Sequence, residues 1–351
     1  MSNFCTKISR LVLAGAMRLA VFALLTIGFG VGAAQAHVNA YVTNQNNGTV
    51  SVIDTETNTI TATIATGGVP TGIAITPFLS DLFGGHPAFA YVTNLTGASV
   101  FVINLATNTV VATVPVGTLP FSVAITPDGK FAYVANALDN DLSVIDTSTN
   151  TVVATVPVGT TPVAVAISIF GIAYVANQDL AGTVSVVDTR TNTVTATVTG
   201  FIVPSSVAVS PDGLLVYVGG DLSLGPPVGG ISVISAFNNT VIATVPTAAD
   251  PMGIAFTPLF GARAYVANFV GGSVSVIDTF NTTVVATISD FPTLETPTMV
   301  AITPDGRNAY VTDFNRNDVA VIDTTTNTIS SFVTGLPGAN GIALGPNLAP
   351  F

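Results

Sequence analysis

Beyond residue 36 the apolar positions fall in short runs of 4 to 7 residues, rich in Val, Ile, Thr and Tyr and each bounded by Gly, Pro, Asn or Asp. That is the length and punctuation of half-buried or fully buried β-strands, and helix signals are missing from this part of the chain. The runs also recur. All seven tyrosines, Tyr41, Tyr91, Tyr133, Tyr174, Tyr217, Tyr265 and Tyr310, occupy one position of a repeat with successive spacings of 50, 42, 41, 43, 48 and 45 residues. Most stand in an Ala-Tyr-Val-x-Asn context. A Ser-Val-Ile-Asp-Thr run follows 8 to 11 residues later, then Thr-Asn-Thr-Val-x-Ala-Thr-Val, then Pro-x-x-x-Ala-Ile-x-Pro.

Four strands in a period of about 40 to 50 residues match the blade of a propeller, in which radial repetition protects the sheet edges. The expected fold is therefore all-β, a seven-bladed β-propeller with four antiparallel strands per blade. The chain ends support it. The first strand, Ala40 to Asn44, is a second strand of the repeat and the last, Gly341 to Gly345, is an innermost one. The two are expected to share a blade and close the ring by hydrogen bonds. Ala74, Ala124, Ala166, Ala208, Ala255, Ala301 and Ala343 hold one position of the innermost strands, where small side chains let blades approach the axis.

The first 36 residues carry Lys7, Arg10 and Arg18 without an acid, then an apolar run from Leu19 to Gly32, then Ala34-Gln35-Ala36. This is the pattern of a secretory signal peptide over residues 1–36, with cleavage before His37 and one domain from 37 to 351. An uncleaved N-terminal anchor is the alternative. Either way the domain is expected outside the cytoplasm: periplasmic, at the cell surface or secreted. The single cysteine, Cys5, lies in this leader, so no disulfide or thiol chemistry is expected of the domain.

Charge changes the picture further. Lys and Arg total 8 against 19 Asp and Glu, and three of the basic residues lie in the leader while none of the acids does. A chain so short of phosphate-neutralising residues is a poor nucleic-acid binder. Charged residues are only 8% of the chain, yet no apolar run past residue 36 approaches a membrane span.

Tyr41-Val-Thr-Asn44 and Tyr91-Val-Thr-Asn94 are intact copies of one tetrapeptide, Tyr133, Tyr174 and Tyr265 begin Tyr-Val-Ala-Asn, and Tyr217-Val-Gly-Gly220 departs most. On these motifs nearly all of the chain after the leader resembles the YVTN β-propeller repeat family of bacterial and archaeal exported and surface-layer-associated proteins. The resemblance implies an exported propeller. It implies no chemistry, because the repeat encodes a blade.

Most polar repeats have a structural reading. Asp54, Asp146, Asp188, Asp278 and Asp323 each precede a Thr-rich turn, where a carboxylate can accept nearby backbone amides. Pro-Asp-Gly at Asp128, Asp212 and Asp305 is a hairpin turn, and the tyrosines read as blade-to-blade packing with a hydroxyl that finds a partner. No nucleophile elbow, zinc-binding helix, phosphate loop or haem attachment motif is present; the two histidines are His37 and His86.

One rim stands apart. Loops joining second to third strands, and fourth strands to the next blade, share a face that carries Asp139, Asp141, Asp179, Asp221, Asp250, Asp290, Glu295, Asp313 and Asp318 against Arg316 alone. It also holds the irregular segments Gly219 to Gly230 and Ser289 to Thr298. Asp139, Asp141, Asp179, Asp313 and Asp318 are the candidates for holding a divalent cation, with Ca2+ the hard ion such oxygens prefer. No other cofactor is expected, and no catalytic residue is assigned. The leading expectation is a noncatalytic scaffold, a monomer, presenting this rim to a protein, a cell-surface polymer or a small ligand. The alternative is a lactonase-like or other hydrolase with a divalent cation at the channel mouth.

Overall fold

The structure is a computed structural model and describes residues 38–77, 88–179, 182–222, 228–258, 261–289 and 295–346. The leader, and with it the expected cleavage before His37, lies outside the described residues.

The described chain forms seven four-stranded antiparallel sheets. The first is closed across the termini: β1 (Val38–Asn44), β2 (Thr49–Asp54) and β3 (Thr59–Ala65) follow β28 (Ala339–Pro346) in the order β28-β1-β2-β3. The second blade is β4 (Pro70–Ile75), β5 (Phe89–Asn94), β6 (Ser99–Asn104) and β7 (Thr109–Pro115). The third is β8 (Pro120–Ile125), β9 (Phe131–Asn136), β10 (Asp141–Asp146) and β11 (Thr151–Pro157). The fourth is β12 (Pro162–Ile167), β13 (Ile172–Asn177), β14 (Thr183–Asp188) and β15 (Thr193–Thr199). The fifth is β16 (Ile202–Val209), β17 (Leu215–Asp221), β18 (Gly229–Ser235) and β19 (Thr240–Pro246). The sixth is β20 (Pro251–Phe256), β21 (Arg263–Asn268), β22 (Ser273–Asp278) and β23 (Thr283–Ile288), and the seventh is β24 (Pro297–Ile302), β25 (Asn308–Asp313), β26 (Asp318–Asp323) and β27 (Thr328–Thr334).

The first strand of each blade touches the first strand of the next, from β4 through β24 to β28 and back to β4, so these strands ring the axis. Closure falls where it was expected, with Tyr41 opposite Ala343 and Val42 opposite Ile342. The two middle strands of each blade are almost wholly buried, whereas the outermost strands alternate toward solvent. The core is accordingly a series of seams between blades, built from Val, Ile and Ala of adjacent sheets.

Two polar devices cross those seams. Tyr91, Tyr133, Tyr265 and Tyr310 are fully buried, and each hydroxyl donates to an asparagine in the last turn of the following blade: Asn150 at 2.7 Å, Asn192 at 2.5 Å, Asn327 at 2.6 Å and Asn58 at 2.6 Å. The last of these runs from the seventh blade to the first and is a second lock on the ring. Nearer the axis, Thr43, Thr93 and Thr312 donate to inner-strand carbonyls of the following blade, Thr71 O at 2.7 Å, Phe121 O at 3.1 Å and Asn340 O at 2.6 Å. The third residue of the tetrapeptide, where it is Thr, thus serves as a stitch between blades.

The repeated aspartates form turns. Asp54 accepts Glu56 N and Thr57 N, Asp278 accepts Phe280 N and Asn281 N, and Asp323 accepts Thr325 N and Thr326 N. The same turns end on Asn58, Asn108, Asn150, Asn192, Asn239 and Asn327 in the left-handed region, with φ from 52° to 56°, a conformation Asn tolerates better than most residues.

Candidate functional site

Strand direction places the loops after second strands and after fourth strands on one face. There the five sequence-singled aspartates are divided among three blades. Asp139 and Asp141 belong to the third, Asp179 to the fourth, and Asp313 and Asp318 to the seventh. Among the described residues, no three Asp, Glu, His or Cys side chains come together as a set that could hold a metal ion.

Four of the five carboxylates are instead tied into their own blades. Asp313 is the fourth residue of its Tyr-Val-Thr-Asp tetrapeptide and does what Asn94 does in the second blade. Asn94 Oδ1 accepts Val69 N at 3.0 Å from the chain entering the blade; Asp313 accepts Glu295 N at 2.7 Å and Thr296 N at 3.1 Å. Its apparent irregularity is therefore a repeat position carrying a different residue. Asp318, the next strand's first residue, pairs with it in register and is 2% exposed. Burial pushes its carboxyl above the usual range, and Arg316, whose Nε donates to Oδ2 at 3.2 Å, offsets this only in part. The Arg316 guanidinium also lies 5.4 Å from the centre of the Phe332 ring. Asp141 accepts Asn136 Nδ2 at 2.7 Å, and Asp139, which is exposed, accepts Thr118 N at 2.6 Å. Asp179 is half-buried.

Asp221, Asp250 and Glu295 complete the described acids of this rim; Asp290 lies outside the described residues. Burial, and next the neighbouring Asp221, raise the carboxyl of Asp250. Arg316, the rim's basic residue, is engaged by Asp318, so the face is left electronegative. The opposite face differs. Its four basic residues each pair with an acid on that face: Lys130 with Asp128, Arg190 with Asp188, Arg263 with Asp278 and Arg307 with Asp305. That face also exposes Ile169, Phe170, Phe237 and Phe280, which the repeat pattern did not single out because they occupy loop positions that vary between blades.

Among the described residues, the acidic rim has a concavity. A cavity of about 270 Å³ lies beside the fifth blade, lined among others by Phe201, Pro204, Gly220, Asp221, Gly230 and Ser232. Its sequence signal is the blade that departs most from the tetrapeptide.

A family model described as the cytochrome D1 heme domain matches residues 34–169. It is a different model from the YVTN-type repeat that the tetrapeptides resemble, and it takes in less than half of the chain. A curated protein, PE-PGRS family protein PE_PGRS18 of Mycobacterium tuberculosis (strain ATCC 25618 / H37Rv), is 56% identical over 39 residues, 11% of this chain and 8% of that protein. This chain thus matches less than a tenth of that relative's length. Among solved structures, hydrazine synthase of Kuenenia stuttgartiensis superposes with a TM-score of 0.73 at 22% identity, over 85% of this chain and 98% of that one. A functionally unknown protein from Desulfotomaculum acetoxidans DSM 771 gives 0.71 at 20% identity, over 87% and 98%. Dihydro-heme d1 dehydrogenase NirN in complex with DHE gives 0.59 at 16% identity, over 88% and 75%. At these identities the likeness shows a shared propeller fold.

Proposed function

We propose that this chain is an exported, noncatalytic propeller of the YVTN-repeat type, acting as a monomer, whose acidic rim docks a cationic protein or cell-surface polymer. The observation that carries the reading is the asymmetry of the two faces. On one rim acids outnumber a single, already engaged arginine, whereas on the other every basic residue is balanced by a carboxylate. A one-signed surface steers an oppositely charged partner and strengthens encounter at low salt. Among the described residues no helix is long and apolar enough to cross a membrane.

The test is binding of a lysine homopolymer by biolayer interferometry. Converting Asp139, Asp141 and Asp179 to Asn and Glu295 to Gln should weaken it strongly, while neutralising Glu56, Asp128, Asp212 and Asp305 on the opposite face should matter little. Equal losses from the two sets would reduce the rim to a solubilising surface.

The cytochrome D1 model match favours a second reading, that the ring carries a haem-type group in its channel. Protein-bound haem iron takes His, Cys, Met or Tyr as axial ligand. The described residues contain no His or Cys, their tyrosines are buried in the seams, and the inner strands offer Met252 and Met299, with no basic side chain to meet the carboxylates of a porphyrin. The described channel therefore fits the group poorly, and no step is assigned to it. Titration of the purified protein with haemin, read as a shift of the Soret band, separates the readings: a saturable shift at one equivalent favours the haem reading, and no shift favours the scaffold.

A further inference from the structure

The fifth blade lacks a polar pair that each of the other six possesses. The last residue of the second strand and the first of the third face each other in register as Asn44 with Thr49, Asn94 with Ser99, Asn136 with Asp141, Asn177 with Thr183, Asn268 with Ser273 and Asp313 with Asp318. In five of these the asparagine amide donates across the pair, at 2.7 to 3.2 Å, and in four it also reaches the serine two positions on. In the fifth blade, whose strands run one residue further, the fourth tetrapeptide position is Gly220 and its partner in register is Gly230. Six or more side-chain heavy atoms are thus missing from one spot in the ring.

Part of the freed space is taken up. The chain entering the blade lies close over Gly220, where a Cβ would stand 2.9 Å from Ile202 O. The Leu222 side chain leans over Gly230, where a Cβ would meet its Cδ1 at 2.4 Å. What remains is the cavity of about 270 Å³. Ser232, the counterpart of the buried Ser51, Ser143, Ser185 and Ser275, is here only half-buried and lines the cavity. Asp221 supplies a carboxylate, Thr244 a hydroxyl, and Phe201, Pro204 and Leu222 apolar surface; the lining contains no cation.

From this arrangement we infer that the seam cavity of the fifth blade binds a small organic cation, an ammonium on Asp221 with a compact apolar body against Phe201 and Pro204. Absence of any basic group in the lining disfavours carboxylates and phosphates, and one carboxylate with two hydroxyls is too few ligands for Ca2+. The space is below the range of drug-sized pockets and suits a ligand of roughly 10 non-hydrogen atoms. Asp250 adds to the negative potential near Asp221, whose charge, after burial, helps to raise the carboxyl of Asp250. The site does not depend on what docks on the rim, and the substitutions that test it are not those that test the rim.

Benzylamine, benzyl alcohol and benzoate share a body and differ in charge, which makes them the probes. By calorimetry on the purified protein benzylamine should bind at one site, benzyl alcohol at least about tenfold more weakly, the loss expected for a charge-assisted contact, and benzoate not at all. Asp221→Asn, which keeps the side-chain shape, should bring benzylamine down to the level of the alcohol; Asp139→Asn should not. Ser232→Leu, which fills the cavity, should abolish both, with the melting curve showing that each variant is folded. Benzylamine binding that survives Asp221→Asn or Ser232→Leu, binding of benzoate as tight as that of the amine, or no benzylamine binding would each overturn the inference.

Discussion

At Tyr133 and Tyr265 burial pushes the phenol up to about 12, with Asp188 and Asp128 adding at Tyr133 and Arg263 opposing at Tyr265 more than Asp323 adds, so these side chains serve as neutral donors at all ordinary pH values. Each hydroxyl ends on the Oδ1 of a left-handed asparagine in the next blade, and the pairing explains why the turn asparagine recurs with the tyrosine. Tyr133→Phe and Tyr265→Phe should each lower stability by about 1 kcal/mol, the net worth of one such hydrogen bond, as read from chemical unfolding. The sixth blade breaks the pattern: Thr282 sits at φ 53° where the other blades have Asn. A β-branched residue in that region is strained, so Thr282→Asn should raise stability by about 1 kcal/mol. An unchanged or lowered midpoint would show that the turn of this blade has relaxed around Thr282 in some other way.

At the scale of the element, the outermost strands are the exposed edges of the ring. Stretches such as Thr109–Pro115 and Thr151–Pro157 contain no charge, although charged residues are the usual defence of an open edge. A different defence is built in. The register between third and fourth strands shifts in every blade, for example between Val52 and Ile53 and between Val144 and Ile145, and such bulges twist an edge away from pairing. Val111→Lys, Val153→Lys and Val285→Lys fall on side chains that are about half exposed, at 51%, 53% and 49%. Together they should leave each blade's stability within about 0.5 kcal/mol per substitution and reduce light scattering at high protein concentration. The existence and order of these strands were legible in the sequence because period-two burial and turn residues are local signals. The bulges were not, since an extra residue in an edge strand leaves the alternation of Val and Thr intact. The destination of each tyrosine hydroxyl was equally hidden, because Asn150 lies 59 residues beyond Tyr91 and only the packing of blades brings them together.

The whole molecule should be most stable in mildly acidic solution. Burial raises Asp318 and Asp250 above the ordinary carboxylate range, so the folded state takes up their protons more readily than the unfolded one, and stability rises as pH falls from neutrality through their folded values. Hydrogen bonds to serine, arginine and backbone donors lower Asp146, Asp188 and Asp323, and backbone bonds lower Asp278; their stabilisation is full above the unfolded value of about 3.9 and is lost below it. The melting temperature is expected to climb from pH 7 toward pH 5 and to fall below about pH 4, and Asp318→Asn should flatten the climb. A monotonic fall from pH 7 would show that the buried carboxyls are not the source of strain. The rim itself was only partly legible at this scale. Spacing assigned its acids to one face, but Asp313 and Asp141 proved to complete the asparagine-type network of their blades, and the cavity arose from two glycines that a search for reactive side chains passes over.

Closure is what makes seven blades one molecule, since β1 has no inner neighbour except β28, which arrives 298 residues later where Gly341 N donates to Thr43 Oγ1. Amide hydrogen exchange on a chain ending before Ala339 reads this directly. The account expects Val38–Asn44 to lose protection and the single cooperative transition to be lost, because the strand edge of the first blade is then open. Protection of Val38–Asn44 and a melting temperature equal to those of the full chain would contradict it.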